Sequence, residues 1–252
     1  MNFKKKNIIR LYNSPSKVFF CKKCVVSNQR PRIKFNQDGI CNACINADNK
    51  YKINWSEREK ELKDLLKKYR KKNGKFDVIV PSSGGKDSAV VAHMLKYKYN
   101  MNPLTVTWAP NIYTDIGFQN FQGLIHSGFT NILGTPNGIV HRKLVRESLI
   151  EIGDPFQPFI YGQVSFPVKT ALQYNISLIM DGENGEIEYG GDNNTSKKSF
   201  SSKEEIKYWF SNFEASKWIK RGFTKKDMEI YIPPTREEIF KKKNNKKILE
   251  LL

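Results

Sequence analysis

The sequence predicts an α/β fold, a parallel β-sheet with helices on both faces, joined to a small N-terminal module built around cysteines. Between residues 76 and 184, short apolar runs alternate with segments whose apolar residues recur every three or four positions. Strands that alternate with helices in this way are typical of parallel sheets. All four cysteines fall between residues 21 and 44, before that alternation begins.

The predicted elements follow one another at short intervals. A helix is expected over residues 55–74, with Ser56 and Glu59 as a capping box at its start. Helices are also predicted to begin near Lys86, Thr114 and Ile139, each after a strand. The predicted strands are FDVIVP (76–81), PLTVTWAP (103–110), TNILGTP (130–136) and ISLIMDGEN (176–184). The Pro- and Phe-rich stretch DPFQPFIYGQVS is expected to be a link before a helix at 166–174.

These patterns divide the chain into three predicted parts. Residues 1–54 form the cysteine module, residues 55–192 the α/β domain, and residues 193–252 a polar and then helical C-terminal segment. A ligand of the α/β domain is expected beyond the carboxyl ends of the strands, where parallel sheets bind their substrates.

The charge of the chain is +18, but its distribution does not favour nucleic-acid binding. Only nine of the 43 basic residues are arginines, and most lysines are interleaved with acids, as in SEREKELKDLLKKYRKK. Such a pattern is typical of solvated helix faces. No apolar run approaches the 18 residues of a membrane span, and the N-terminus lacks the pattern of a secretory signal. We therefore expect a cytoplasmic protein.

The cysteines have the spacing of a zinc site. Cys21, Cys24, Cys41 and Cys44 form the pattern C-x2-C-x16-C-x2-C, in which each pair directs two thiolates at one ion. Two disulfides or a redox pair are the alternatives. Four protein ligands leave no open position on Zn²⁺, so the predicted zinc is structural. If zinc binds all four cysteines, none remains as a nucleophile or sulfur carrier.

A Ser/Gly turn between a strand and a helix is the candidate anion site. The turn SSGGKDS is not a Walker A loop, because Val80 stands where that motif needs its first glycine. Gly84 and Gly85 allow backbone N–H groups to approach phosphates, and the helix N-terminus adds a positive dipole. Hydroxyl groups and a lysine complete the set: Ser82, Ser83, Ser88 and Lys86. Asp87 can cap the helix and orient the loop or a Mg²⁺ ion.

The segment from Ser83 to Ser88 resembles the PP-loop of N-type ATP pyrophosphatases, whose fold is of the adenine nucleotide alpha hydrolase type. That resemblance implies that the turn binds Mg²⁺-ATP and that ATP is cleaved between its α and β phosphates. A closer resemblance covers residues 18–240. The motifs CKKCVVSNQRPRIKFNQDGICNAC, INWSEREKELKDLL, IVPSSGGKDS, HRKLVRESLIEIGD and DGENGEIEYGGD occur in the order seen in the N-acetyl sugar amidotransferase family.

The resemblance assigns roles to particular residues. The implied catalytic residues are Lys86, Asp87 and Glu183. The implied nucleotide-binding residues are Ser82, Ser83, Gly84, Gly85, Lys86, Asp87, Ser88, Thr107, Asp181 and Gly182. Thr107 or Trp108 would contact adenine through the backbone. The Glu/Gly-rich segment also matches the family at Glu188, Tyr189, Gly190 and Gly191.

A second group of residues keeps two interpretations. In HRKLVRES, the side chains of His141, Arg142, Lys143 and Arg146 either meet a phosphate or sugar carboxylate, or form a solvated basic helix face. His93 and His126 are interpreted as ordinary packing or surface residues.

The family resemblance implies a reaction and partners. The enzyme would convert an acetamido group of a surface-polysaccharide sugar or nonulosonic acid, such as pseudaminic acid or an O-antigen sugar, into an acetamidino group. Its ammonia would come from a separate glutaminase through a channel subunit. Relatives continue past residue 252, so the last segment is expected to be shortened. The alternatives are a tRNA-thiolating PP-loop enzyme and a non-catalytic remnant.

Overall fold

The computed structural model describes residues 15–30, 33–183, 190, 213–241 and 250–251 of the chain. The predicted positions Glu188, Tyr189 and Gly191, and residues 193–212, lie outside the described residues. The described residues group into two compact units. Residues 15–30, 33–58, 183 and 190 form the first unit, and the other described residues form the second. The predicted three-part division stays a prediction.

The first unit is built from short turns around the cysteines. Isolated antiparallel bridges join Phe20 to Ser27 and Phe35 to Cys41. Helix α1 (Asn42–Asn49) follows, and a 3₁₀ turn (Lys50–Lys52) extends it. Helix α2 (Trp55–Tyr69) begins next. The predicted capping box is wrong, because the N–H of Glu57 donates to Oδ1 of Asn54 at 3.2 Å. Asn54 lies one residue before the helix and is therefore placed to satisfy the first-turn donors that Ser56, inside the helix, was expected to cap.

The second unit contains a parallel five-stranded sheet in the order β3-β2-β1-β4-β5. Every described strand pair is parallel. The strands are β1 (Val78–Pro81), β2 (Pro103–Trp108), β3 (Thr130–Gly134), β4 (Leu178–Ile179) and β5 (Glu250–Leu251). The predicted fold class is confirmed, with strands somewhat shorter than the apolar runs that predict them.

The helices connect the strands as the alternation predicts. They are α3 (Lys86–His93), which continues as a π-helical turn (Met94–Lys98), α4 (Asp115–His126), α5 (Gly138–Ile152) and α6 (Gln157–Gln173). In the described part of the chain, no helix is long and apolar enough to cross a membrane.

The sheet separates two cores because successive strand side chains point to opposite faces. Val78 and Val80 of β1 pack with Leu66, Ala92 and Leu124, which belong to α2, α3 and α4. On the opposite face, Ile79, Leu104 and Val106 pack with Val168 and Ala171 of α6. The sequence of a strand that is covered on both faces is a continuous apolar run. This is why VIV shows no alternation of apolar and polar residues.

The predicted Pro/Phe-rich link is wrong, because residues 157–173 form one helix, α6. Pro158 lies in its first turn, where a missing N–H costs nothing. Pro167 lies inside the helix and removes one backbone hydrogen bond. A buried face that includes Tyr161, Val168 and Ala171 compensates, since tertiary packing supplies most helix stability in proteins.

The C-terminal segment packs against α6, where Tyr161 donates to the carbonyl of Phe213 and Lys169 donates to the carbonyl of Glu229. A 3₁₀ helix (Ala215–Arg221), helix α7 (Lys225–Met228) and a second 3₁₀ turn (Glu229–Tyr231) precede α8 (Arg236–Lys241). Trp218, Phe223 and Tyr231 join Trp108 and Tyr161 in one buried cluster. The described part of this segment therefore belongs to the core of the α/β unit.

Candidate functional site

The Ser/Gly turn lies at the carboxyl end of the central strand. Strand β1 ends at Pro81, and α3 begins at Lys86 with Gly85 as its N-cap residue. Strands β2 and β4 flank β1 on its two sides. This is the edge at which parallel sheets bind ligands, so the predicted position of the turn is where the topology puts a ligand site.

Gly84 is required by the local backbone. Its φ is +87°, a left-handed conformation that side-chain-bearing residues rarely adopt. A Cβ atom here would come within 2.6 Å of the backbone nitrogen of Phe121 in α4. Gly85 has an extended conformation and is free of such a contact, since the nearest atom to its Cβ position is Oγ of Ser83 at 3.4 Å.

Hydrogen bonds of two serine hydroxyls, those of Ser82 and Ser88, hold the turn together. Oγ of Ser82 donates to Oγ of Ser88 at 3.0 Å, and Oγ of Ser88 donates to the carbonyl of Gly85 at 3.1 Å. The N–H of Gly84 points at Oγ of Ser82, 3.4 Å away. Ser83 and Gly85 are exposed. The hydroxyls of buried Ser82 and half-buried Ser88 hold the turn, while Ser83 and Gly85 face solvent.

Lys86 and Asp87 form an exposed ion pair in the first turn of α3. Nζ of Lys86 lies 2.6 Å from Oδ1 of Asp87, and the two side chains are 86% and 64% exposed. Exposed pairs contribute at most about 1 kcal/mol. Both groups can therefore exchange this contact for a phosphate or a cation at little cost.

The segment after β4 reaches the same helix turn. A Cβ atom on Gly182 would lie 2.9 Å from the backbone nitrogen of Ser88 and 3.0 Å from the carbonyl carbon of Asp87. The N–H of Gly182 donates to Oδ1 of Asp181 at 2.7 Å. Asp181 and Gly182 therefore lie beside the turn. Glu183 groups with the first unit, and its catalytic role stays a prediction.

The structure shows a role for the Thr107 side chain, whereas the sequence expectation concerned its backbone. Its side chain is 1% exposed, and its hydroxyl donates to the carbonyl of Ser82. The side chain thus holds the first residue of the turn through a hydrogen bond. Backbone contact of Thr107 with adenine stays a prediction. The Trp108 ring packs against α6, where a Cβ on Gly162 would lie 2.0 Å from Cε2 of the ring. Trp108 therefore has a packing role.

The four residues singled out in HRKLVRES separate into one buried side chain, that of His141, and three exposed ones. Nδ1 of His141 lies 2.8 Å from Oη of Tyr231, and burial lowers the pKa of the imidazole. Nζ of Lys143 donates to the carbonyl of Gly222 at 3.2 Å, and Arg146 pairs with Glu147 at 2.6 Å. Arg142 is exposed. These contacts tie α5 to the C-terminal segment and favour the solvated-face interpretation for the three cations.

The four cysteine sulfurs converge in the first unit. Their ligand atoms all lie within 4.8 Å of one another, and Sγ of Cys24 is 3.7 Å from Sγ of Cys41. Tetrahedral zinc with Zn–S bonds of about 2.3 Å requires sulfur–sulfur distances of about 3.8 Å. The cluster therefore has the dimensions of a four-thiolate zinc site.

Backbone donors around the cluster favour thiolate at one position. Burial acts to raise the pKa of Cys21, but N–H groups of Cys41, Lys23 and Cys24 outweigh it and lower the pKa to about 6. The nitrogens of Cys41 and Lys23 lie 3.2 Å and 3.4 Å from its sulfur. Burial and the neighbouring thiols raise the pKa of Cys44 to about 12. A second thiolate in this space needs a cation to neutralise it.

Gly190 packs against the second cysteine pair. Its φ is +80°, and a Cβ atom would lie 2.6 Å from Oδ1 of Asn42 and 3.1 Å from the nitrogen of Ala43. Oδ1 of Asn42 in turn accepts from the N–H of Lys34 at 3.2 Å. This close approach gives a physical reason for glycine at a position that the sequence singled out by family resemblance alone.

Comparisons with known proteins give limited matches. No protein family matches the chain. An uncharacterised protein of Methanocaldococcus jannaschii is 36% identical over 88 residues, which are 34% of this chain and 31% of that protein. An ammonia-dependent NAD synthetase from Campylobacter jejuni, solved with a nitrate ion, is 14% identical. Its superposition covers 77% of this chain and 99% of the synthetase, with a TM-score of 0.42.

Proposed function

We propose that this chain is an ATP-dependent, AMP-forming amidotransferase that converts an acetamido group of a surface-polysaccharide sugar or nonulosonic acid into an acetamidino group. The observation that carries the proposal is the turn from Ser82 to Ser88, a glycine-dependent backbone cradle at the central strand with an exposed lysine and aspartate beside it. The sugar is assigned by the resemblance of the sequence motifs.

The first step activates the acetamido oxygen. That oxygen attacks the α-phosphorus of ATP, the bond to the bridging oxygen breaks, and pyrophosphate leaves. Backbone N–H groups of the turn and Nζ of Lys86 stabilise the charge on the leaving group. The position of Lys86 at the N-terminus of α3, where the helix dipole also favours anions, supports this role.

The second step replaces oxygen by nitrogen. Ammonia attacks the activated carbon, the carbon–oxygen bond breaks, AMP leaves with that oxygen, and loss of a proton gives the amidine. Glu183 is assigned to this step as the base that accepts the proton. We propose that a separate glutaminase delivers the ammonia through a channel subunit, because all four cysteines of the chain lie in one cluster.

Two metal ions have separate roles in the proposal. The carboxylates of Asp87 and Asp181 would hold Mg²⁺ with ATP, since carboxylates and phosphates are its preferred ligands. Cys21, Cys24, Cys41 and Cys44 would hold Zn²⁺, which would stabilise the first unit without entering the reaction. The reduced thiols that zinc requires fit a cytoplasmic location.

The test is the product balance of the purified protein. Incubation with Mg²⁺-ATP, an ammonium salt and a panel of N-acetylated sugar nucleotides and nonulosonic acids is expected to give AMP, pyrophosphate and amidine in equal amounts. Mass spectrometry identifies the acceptor through the replacement of oxygen by NH. Lys86→Met should abolish AMP formation, and Lys67→Met, on an exposed face of α2, should not. Release of ADP instead of AMP would overturn the proposal.

A further inference from the structure

A series of hydrogen bonds connects β3 to the Ser/Gly turn. Nδ2 of Asn131 donates to Oγ1 of Thr107 at 2.8 Å, and Oγ1 of Thr107 donates to the carbonyl of Ser82. The N–H of Ser82 donates to the carbonyl of Val106 at 2.8 Å. Both backbone groups of the first residue of the turn are therefore held by β2, one of them through a side chain.

The number of available hydrogen atoms determines which groups donate and which accept in this series of hydrogen bonds. Nδ2 of Asn131 also donates to Oγ1 of Thr105 at 3.0 Å, and Oγ1 of Thr105 donates to the carbonyl of Thr130 at 2.9 Å. Each threonine has one hydroxyl hydrogen, and each gives it to a carbonyl. Both therefore need a donor, and only the NH₂ group of the amide supplies two. The orientation of Asn131 follows from its neighbours.

We infer that Asn131 and Thr107 are positioning residues, which fix the carbonyl of Ser82 and with it the backbone of the turn. This positioning role belongs to the side chains, neither of which is proposed to touch the nucleotide. Thr107 acts on Ser82 directly. Asn131 acts by donating to the oxygen of the Thr107 hydroxyl, so that the hydroxyl hydrogen is directed to the carbonyl of Ser82. The inference rests on the proposed function only in that the turn is the phosphate site. The carbonyl of Ser82 shares a peptide plane with the N–H of Ser83, so fixing it fixes the direction of that N–H and the point from which the backbone continues to Gly84 and Gly85.

The two threonines provide a matched pair of variants. Both are buried on β2, both face the same side of the sheet, and both accept from Asn131, but only Thr107 reaches the turn. Valine has the shape of threonine without the hydroxyl. Thr107→Val leaves the Ser82 carbonyl without its donor, whereas Thr105→Val removes the bond to the carbonyl of Thr130. Thr107→Ser keeps the hydroxyl and should restore the turn.

The first measurement needs no nucleotide. Amide hydrogen exchange of Ser82, followed by NMR, is expected to be about tenfold faster in Thr107→Val, because a weakened turn opens more often. Thr105→Val and Thr107→Ser are expected to stay within about twofold of the wild type. Asn131→Asp replaces both donors by acceptors, draws the Thr107 hydroxyl away from Ser82, and should resemble Thr107→Val. Unchanged exchange in Thr107→Val, or equal acceleration in Thr105→Val, would overturn the inference.

The second measurement connects the turn to the nucleotide. Titration calorimetry with Mg²⁺-ATP is expected to show about tenfold weaker binding for Thr107→Val, with Thr107→Ser close to the wild type. If the wild-type protein binds no ATP, the proposed function fails, while the exchange data still decide the positioning role. If exchange accelerates and ATP affinity is unchanged, the turn is held by Thr107 but the role in nucleotide binding is wrong.

Discussion

The backbone of Gly84 lies directly against the backbone of Phe121, so that a single added carbon at Gly84 would come within 2.6 Å of the Phe121 nitrogen. This contact joins the Ser/Gly turn after β1 to the middle of α4. Because both partners are backbone, neither can rotate away as a flexible side chain would. The turn is therefore fixed by a packing constraint as well as by its hydrogen bonds.

Gly84→Ala is expected to destabilise the protein and to remove ATP binding. A left-handed φ and a backbone clash each cost on the order of 1–3 kcal/mol, so a loss of about 2 kcal/mol or more in the free energy of unfolding is expected. Gly85→Ala is the matched control, because the space around Gly85 accepts a methyl group. Urea unfolding measures the free energy of unfolding of the two variants. Equal stability of the two variants would contradict the packing argument.

Asp87→Asn is expected to abolish turnover without harming the fold. The Asp87 side chain is exposed and forms an ion pair with exposed Lys86. Loss of its charge should therefore lower the free energy of unfolding by no more than about 1 kcal/mol. AMP formation is expected to fall by about 100-fold or more, as for other charged groups that act on the transition state.

The control for this variant is Asp115→Asn. Asp115 occupies the first turn of α4, where it makes a similar contribution to the helix dipole. It should therefore show a similar change in stability with full activity. Loss of activity in both variants would point to a general effect of first-turn charge, and the specific role of Asp87 would be wrong.

One zinc ion per chain is expected to hold the cysteine cluster together. Elemental analysis should give one zinc in the wild type and much less in Cys24→Ser, and cobalt substitution should give the visible bands of tetrahedral thiolate coordination. Chelation is expected to remove exchange protection from residues 33–58 and to leave β1 and β2 protected. Ser27→Ala is the control, because Ser27 lies three residues from Cys24 and is not a predicted zinc ligand. A wild type without zinc would refute the assignment.

The pH dependence of stability is expected to contain a contribution from His141. Burial lowers the pKa of its imidazole in the folded protein, while the unfolded chain has the ordinary value of about 6.5. Below about pH 6.5 the unfolded state binds a proton that the folded state does not, so stability falls as pH decreases until the folded pKa is reached. The slope is at most about 1.4 kcal/mol per pH unit.

The difference between wild type and His141→Gln isolates this contribution. Urea unfolding at pH 7.5 and pH 5.5 should show a smaller loss on acidification in His141→Gln than in the wild type. His126→Gln, which removes an exposed imidazole, should retain the wild-type loss. The same pH response in wild type and His141→Gln would show that the buried imidazole does not carry the effect.

The sequence predicts those features that local patterns determine. VIV, the turn SSGGKDS and the following helix are contiguous, so composition and order were sufficient to place Ser82–Ser88 at a sheet edge. The role of Asn131 depends instead on the pairing of β2 with β3, which sets Thr105 opposite Asn131. Nothing in TNILG distinguishes this asparagine from an ordinary strand residue. Asn131 could be recognised only from the register of β2 and β3, which are separated in sequence by a helix.

One local rule failed because tertiary packing outweighed it. The proline rule predicted a link before residue 166, but the buried face of α6 keeps Pro167 inside a helix. The adenine contact that the family resemblance implies concerns the backbone of Thr107 or Trp108 and stays a prediction, while the Thr107 hydroxyl donates to the carbonyl of Ser82.

The nitrogen source is expected to be free ammonia for the isolated chain. A glutaminase of the cysteine type needs a free thiolate, and the chain has four cysteines, all of which lie in one cluster. With an ammonium salt as sole donor, amidine formation should occur and should increase with pH, because NH₃ rather than NH₄⁺ attacks. With glutamine as sole donor, no amidine is expected until the glutaminase partner is added. A lysate fraction depleted of glutaminase activity is the control for that addition.

Turnover of glutamine by the lone protein would show that the thiols are not all committed to the cluster. Activity with a sulfur donor and tRNA, and none with ammonia, would replace the amidotransferase proposal by tRNA thiolation.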